Sequence, residues 1–150
     1  MRNNKNSNLI KRFTYSLILV LALLFTAQAS ESCVHYIIGK KYACLEIANT
    51  FELRRHGLMH RTNLEENNGM LFIYKNPISA CFWMKDTAID LDIAFATKDQ
   101  KIVSIQSMKK KTLNRHCTDQ AVIYAIEMNK DWFKRNQINI GDQFYRSDNN

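Results

Sequence analysis

Low-complexity sequence is missing from this chain, and so are the residues that usually build it. Proline occurs once, at Pro77, and glycine only at Gly39, Gly57, Gly69 and Gly141. There is no internal repeat, so a solenoid or propeller is excluded. No Cys-x-x-Cys occurs, which removes the main support for a thioredoxin-like redox role. No Gly-x-Ser-x-Gly elbow and no His-Glu-x-x-His pair is present, so two familiar hydrolytic motifs are absent. Acidic residues are missing altogether from the first thirty positions.

That last absence points to a leader. Arg2, Lys5, Lys11 and Arg12 precede an apolar run, Leu17 to Phe25, and then Ala27-Gln28-Ala29. Basic, apolar and small regions in that order form a secretory signal, so 1–29 is read as a signal peptide cleaved after Ala29. The run is short for a spanning helix, which needs about 20 apolar residues. An uncleaved anchor is the other reading, and it gives the only membrane contact expected. Cys33 follows Ser30-Glu31-Ser32, without the aliphatic residue a lipidation site requires.

Four of the 21 basic residues and none of the 14 acidic ones lie in 1–29, so the net charge drops from +7 to +3 without them. Such a mild excess, on an exported chain, argues against a nucleic-acid partner. Lys109-Lys110-Lys111 reads as a solvated loop. Residues 30–150 have the size of a single domain with its own core, and the polar tail from Arg146 to Asn150 is expected to fray. Cys33, Cys44, Cys81 and Cys117 form an even set in an exported sequence, which implies disulfides and a periplasmic or secreted location. Four cysteines allow three connectivities. Cys33–Cys44 across a hairpin with Cys81–Cys117 between distant segments is favoured, but sequence does not choose.

The strand signals come in hairpins. "CVHYIIGKKYACLEIAN" places β-branched and aromatic runs around Gly39. "DLDIAFATKDQKIVSIQSM" alternates Leu91, Ile93 and Phe95 with Asp92 and Ala94, then turns at Lys98-Asp99-Gln100. "GMLFIY", "CFWMK", "AVIYAIEM" and "IGDQFY" add further strands, with Lys75 to Ala80 read as a loop. "NTFELRRHGLMHRTNL" reads as a helix capped by Asn49 or Thr50 and weakened or ended at Gly57, and "NKDWFKRNQI" as one capped by Asn129. The expected fold is α+β: a mainly antiparallel, curled or barrel-like sheet with about two short helices.

"RRHGLMHRTNL", "NGMLFIY", "FWMKDTAIDLDIAF", "AIEM" and "INIGDQF" occur in that order. Together they resemble the family known as domain of unknown function 192, over a core of about residues 42 to 146. The matching positions are Gly57, Leu58, Met59 and Arg61; Gly69, Met70, Leu71 and Phe72; and Phe82, Trp83, Met84, Lys85 and Thr87. Leu91, Asp92, Ile93, Glu127, Gly141 and Asp142 complete them. The resemblance implies a compact β-rich domain, exported or membrane-associated, with no established reaction. Two positions depart from the pattern. Asp86 stands where relatives have asparagine, and Asp90 where they have proline, which removes the rigidity of that ring.

The candidate site is a ligand cradle of Arg61, Trp83, Lys85, Thr87 and Asp92. An aromatic platform, cations for an anionic group and a directing hydroxyl are what such a cradle needs. Against it stands a hairpin turn in which Thr87 and Asp92 bond only to backbone. Arg61 and Glu127 could instead form an ion-pair clasp. Asp92 or Glu127 could serve a hydrolase acting on an envelope polymer. His56 and His60, at i and i+4, with His116, outline a metal-handling alternative. The methionines sit in apolar segments and read as core fillers. No cofactor is implied. The leading expectation is a non-enzymatic binding or accessory module at the cell envelope, with a small molecule or envelope component as partner.

Overall fold

The computed structural model describes residues 33–147. The leader and the last three residues of the tail lie outside them. Nine strands and two short helices follow in order within these residues: β1 (Val34–Ile38), β2 (Lys41–Ala48), α1 (Phe51–His56), β3 (Asn68–Ile78), β4 (Cys81–Phe82), β5 (Leu91–Ala96), β6 (Ile102–Met108), β7 (His116–Cys117), β8 (Val122–Asn129), α2 (Trp132–Arg135) and β9 (Phe144–Arg146). Seven strands form one sheet in the order β6-β5-β8-β3-β2-β1-β9, and β4 pairs with β7 separately. Every pairing is antiparallel except β2 with β3, the two strands joined through α1. The sheet curls into a half-barrel until its edges meet. An isolated bridge joins Lys101 to Gln143. Gly141 N donates to Ile102 O, and Ile102 N to Asp142 O, both at 2.8 Å.

The central strands are covered on both faces, which explains why all six residues of β5 are buried. Side chains alternate along a strand, so two cores result. One lies on the face of Ala94, Ala96, Leu71, Ile126 and Met128, and is closed by Trp132, Phe133, Ile138 and Phe144. The other lies on the face of Leu91, Ile93, Phe95, Met70, Phe72 and Ala125, and is closed by Leu58, Leu64 and Met84. Each large apolar side chain buried this way contributes about 1.5–3 kcal/mol. Met70, Met84, Met108 and Met128 are all buried in these cores.

Both disulfides have the favoured connectivity, Cys33–Cys44 and Cys81–Cys117. They suggest an oxidising, extracytoplasmic location. Among the described residues, no helix is long and apolar enough to cross a membrane.

Three local expectations are corrected. β3 runs on to Ile78 through Pro77, because the pairing with β8 shifts between Ile73 and Ile78 and the irregularity tolerates a residue with no N–H. Strand β4 stops at Phe82, so Trp83 to Lys85 are irregular, although Met84 still points inward. Helix α2 starts after Asp131 with no side-chain cap. Asn129 instead donates to the carbonyls of Leu64, Glu65 and Glu66.

Candidate functional site

The site is built on the second of these faces. Helix α1 is capped as its sequence predicts, by Thr50, whose hydroxyl accepts from Leu53 N at 3.2 Å. It ends at Gly57, whose φ of +52° is one that side-chain-bearing residues rarely adopt. A Cβ there would sit 3.4 Å from the Phe72 ring, so the glycine also lets the chain settle onto β3. Leu58 then enters the core. The short helix buries none of its own residues; it stands as one wall of an open cavity.

That cavity has a volume of about 720 Å³. Arg54, Arg55 and His56 of α1 line one side, and Trp83, Lys85, Asp86 and Thr87 the other. Phe72, Tyr74 and Phe82 supply the apolar surface between them, and Glu127 of β8 belongs to the same lining. Phe72 and Phe82 meet edge to face at 4.9 Å between centroids. The Arg54 guanidinium lies 5.0 Å from the Tyr74 ring centre and donates to the carbonyls of Ile73 at 2.9 Å and Asn49 at 2.7 Å. It is therefore held in place before any ligand arrives. The Lys85 ammonium sits 5.9 Å from the centre of Trp83, a ring that is 50% exposed at the mouth.

Glu127 is 5% exposed. Burial pushes its carboxyl up to about 8, and among the described residues no cation or donor offsets that cost. At neutral pH the group is protonated and can donate a hydrogen bond. Tyr74 is also raised, first by burial, then partly lowered by Arg54 and raised again by Glu127.

The five cradle residues divide among three places. Trp83, Lys85 and Thr87 line the cavity together. Arg61 does not line it; its guanidinium meets Glu46 at 2.7 Å, so the clasp it forms is with Glu46 rather than Glu127. Asp92 faces the opposite core. In the β5–β8 register Glu127 lies across from Ile93, and Asp92 across from Met128, so period-two alternation sends the two carboxyls to opposite sides of the sheet. They cannot act as a pair. Asp92 accepts from Ser107 Oγ at 2.7 Å and from Asp131 N at 2.9 Å, fixing the turn into α2. Burial raises its carboxyl and these two bonds partly lower it.

The histidines do not converge either. His56 and His60 rings lie 5.9 Å apart, but His60 falls beyond the helix end with a φ of 65°. His116 is on β7, paired with Phe82, and the three do not group as metal ligands among the described residues. Asp86 and Asp90, the two departures from the family pattern, both work through backbone groups. Asp86 O accepts from His60 N, and Asp90 accepts from Lys110 N through its side chain and from Lys130 N through its carbonyl.

Arg54, Arg55 and Tyr74 were not among the residues singled out from sequence. Their signal is present but weak: two consecutive arginines on a helix too short to bury anything, directly before the Gly57-Leu58-Met59 anchor.

Two solved structures share this fold. One is a protein of unknown function from Novosphingobium aromaticivorans DSM 12444, 26% identical, covering 79% of this chain and 89% of its own, with a TM-score of 0.74. The other is described as a candidate transcription regulator from Sinorhizobium meliloti 1021, also 26% identical, covering 75% and 91%, with a TM-score of 0.71. No curated protein matches the sequence. Residues 34–145 match the model of a family of uncharacterised proteins, DUF192. The order of segments first noted in the sequence, the curled sheet and this match agree: the chain belongs to the DUF192 family.

Proposed function

We propose that this protein is a non-enzymatic binding module of the cell envelope, periplasmic or secreted, whose cavity between α1 and the Trp83–Thr87 segment takes a small organic anion with a planar or apolar body. The observation that carries this reading is the composition of one cavity. Fixed and mobile cations, Arg54 and Lys85, flank aromatic walls, and a neutral carboxyl, Glu127, lies in the lining. Its volume of about 720 Å³ is that of an ordinary small-molecule pocket. An anionic group meets the cations, the body lies on Trp83 and Phe82, and an acceptor atom receives a hydrogen bond from the neutral Glu127 carboxyl. The disulfides and the leader-like start of the sequence support an envelope location.

The test is a thermal-shift screen of aromatic and aliphatic carboxylates, sulfates, phosphates and acidic sugars. A ligand present at 100 times its Kd stabilises the folded state by about 2.7 kcal/mol. A hit from one of these classes should vanish in Lys85→Ala and weaken in Trp83→Ala, two exposed positions whose replacement leaves the fold intact. A hit that survives both changes counts against this cavity. No hit among the anions, with hits among cations, would sink the proposed ligand class.

The hydrolase reading retains one support, the burial that raises the Glu127 carboxyl toward the protonated state a general acid requires. It lacks Asp92 as a partner, since that carboxylate lies across the sheet.

A further inference from the structure

The solvent face of the β1–β2 hairpin gathers a second group of chemistry-bearing side chains, none of which lines the cavity. Cys33 immediately precedes β1 and His35 is its second residue, and their side chains meet on one face. His35 lies directly opposite Cys44 in the β1–β2 register, and cross-strand partners also share a face. The burial pattern shows which face it is: Tyr36 and Ala43 are buried, whereas His35 is exposed and the two cysteines are half-buried. One ligand atom from each of Cys33, His35 and Cys44 lies within 4.8 Å of the others. In the oxidised protein the two sulfurs are bonded to each other.

We propose that Cys33, Cys44 and His35 form a redox-gated zinc site, closed while the disulfide is intact and opened by reduction. A low-molecular-weight dithiol supplies the electrons. Its two thiols become a disulfide, the Cys33–Cys44 bond breaks, and two protein thiols form. Zinc then displaces the two thiol protons to solvent and takes two thiolates and the neutral imidazole, with water in the fourth position. The geometry suits this. A tetrahedral ion about 2.3 Å from each sulfur holds the sulfurs ~3.8 Å apart, a separation two cross-strand side chains reach by rotating about Cα–Cβ. The exposure of His35 leaves room for the water. Two thiolates, one imidazole and an open position make a donor set that zinc occupies elsewhere. Among the described residues the second disulfide has no such partner arrangement. Cys81 is paired with Cys117, and the nearest histidine in register, His116, faces Phe82 instead.

The experiment compares the oxidised protein with the same protein reduced anaerobically by dithiothreitol and desalted. Each is titrated with zinc against a chromophoric chelator, and with cobalt(II) as a spectroscopic probe. The reduced protein takes up one zinc, and cobalt gives a thiolate charge-transfer band; the oxidised protein does neither. Cys33→Ser/Cys44→Ser, which keeps the other bridge, abolishes uptake, whereas Cys81→Ser/Cys117→Ser retains it. Replacing even outer-shell groups costs metal affinity about 10–100-fold, so His35→Ala weakens binding by at least about tenfold. Uptake that survives in Cys33→Ser/Cys44→Ser, or is unchanged in His35→Ala, overturns the proposal. Circular dichroism covers the case in which reduction loosens the fold. Zinc that restores the native spectrum at a concentration at least about tenfold lower than His35→Ala requires supports the site, and zinc that restores both proteins equally overturns it.

Discussion

Replacing Glu127 by glutamine should stabilise this protein, and by an amount that grows with pH. The carboxyl is held at about 8 in the folded chain, against an ordinary value of 4.5. Below pH 4.5 the folded and unfolded states both carry the proton, and burial costs little. Between 4.5 and about 8 the unfolded chain releases the proton while the folded chain keeps it. The folded state therefore loses about 1.4 kcal/mol of stability for each pH unit gained. Across the whole interval the loss is on the order of 5 kcal/mol, comparable to the entire stability of many domains. Above pH 8 it levels off. Glutamine keeps the shape and the hydrogen-bonding capacity but does not titrate, so its curve lacks this component. Urea unfolding of both proteins at half-unit steps from pH 4.5 to 9 measures the difference directly. The variant should match the wild type near pH 4.5 and gain steadily until about pH 8. Subtracting the curves removes contributions from other titrating groups, including Asp92. Parallel curves would refute the assignment of a buried, uncompensated acid to this position.

The cavity makes a related demand on binding: if Glu127 donates to the ligand, affinity should fall as pH rises above 8, and the fall should be absent in Glu127→Gln, as isothermal titration at several pH values would show. Gly69→Ala should be severely destabilising, because the added Cβ would collide with the Glu127 carbonyl and the Met128 sulfur, a backbone atom among them; a loss of more than about 2 kcal/mol by urea unfolding is expected for such overpacking. Asp92→Ala leaves the Ser107 hydroxyl and the Asp131 N–H without their acceptor, costing about 2–3 kcal/mol in the same assay while sparing ligand binding at the cavity across the sheet. Removing the Cys81–Cys117 bridge should cost about 4 kcal/mol and removing Cys33–Cys44 about 3 kcal/mol, because the longer loop restrains the unfolded chain more; a reversed order in paired Cys→Ser variants would contradict the loop-entropy account.

The hairpins and the first helix were legible because their signals are local. Gly39 between two β-branched runs, the Lys98-Asp99-Gln100 turn and the Thr50 cap each act over a few residues. The curled sheet followed from counting them. What sequence did not reveal depends on register. Asp92 and Glu127 each stand among apolar residues, and nothing local says that one faces α2 and the other α1. Only the pairing of Ile93 with Glu127 decides it. Arg61 was drawn toward the site by its neighbours in the chain, yet its partner Glu46 comes from β2, and the arginines that do line the cavity, Arg54 and Arg55, sit on α1 before the chain turns at Gly57. The false cap at Asn129 has the same origin. A good capping residue before a helix was claimed by three carbonyls more than sixty positions away.

The meeting of the half-barrel's edges at Lys101 and Gln143 has a consequence for the protein in company. An unpaired edge strand offers a row of amide donors and acceptors on which another chain can grow. Here the short β9, three residues long, covers β1 on one side and leads directly into the contact with the start of β6 on the other. A single small element thus covers β1, and the residue before it ties one end of the sheet to the other. Its loss would not merely shorten the chain; it would bare the edge of β1 as an adhesive margin on which another chain can pair.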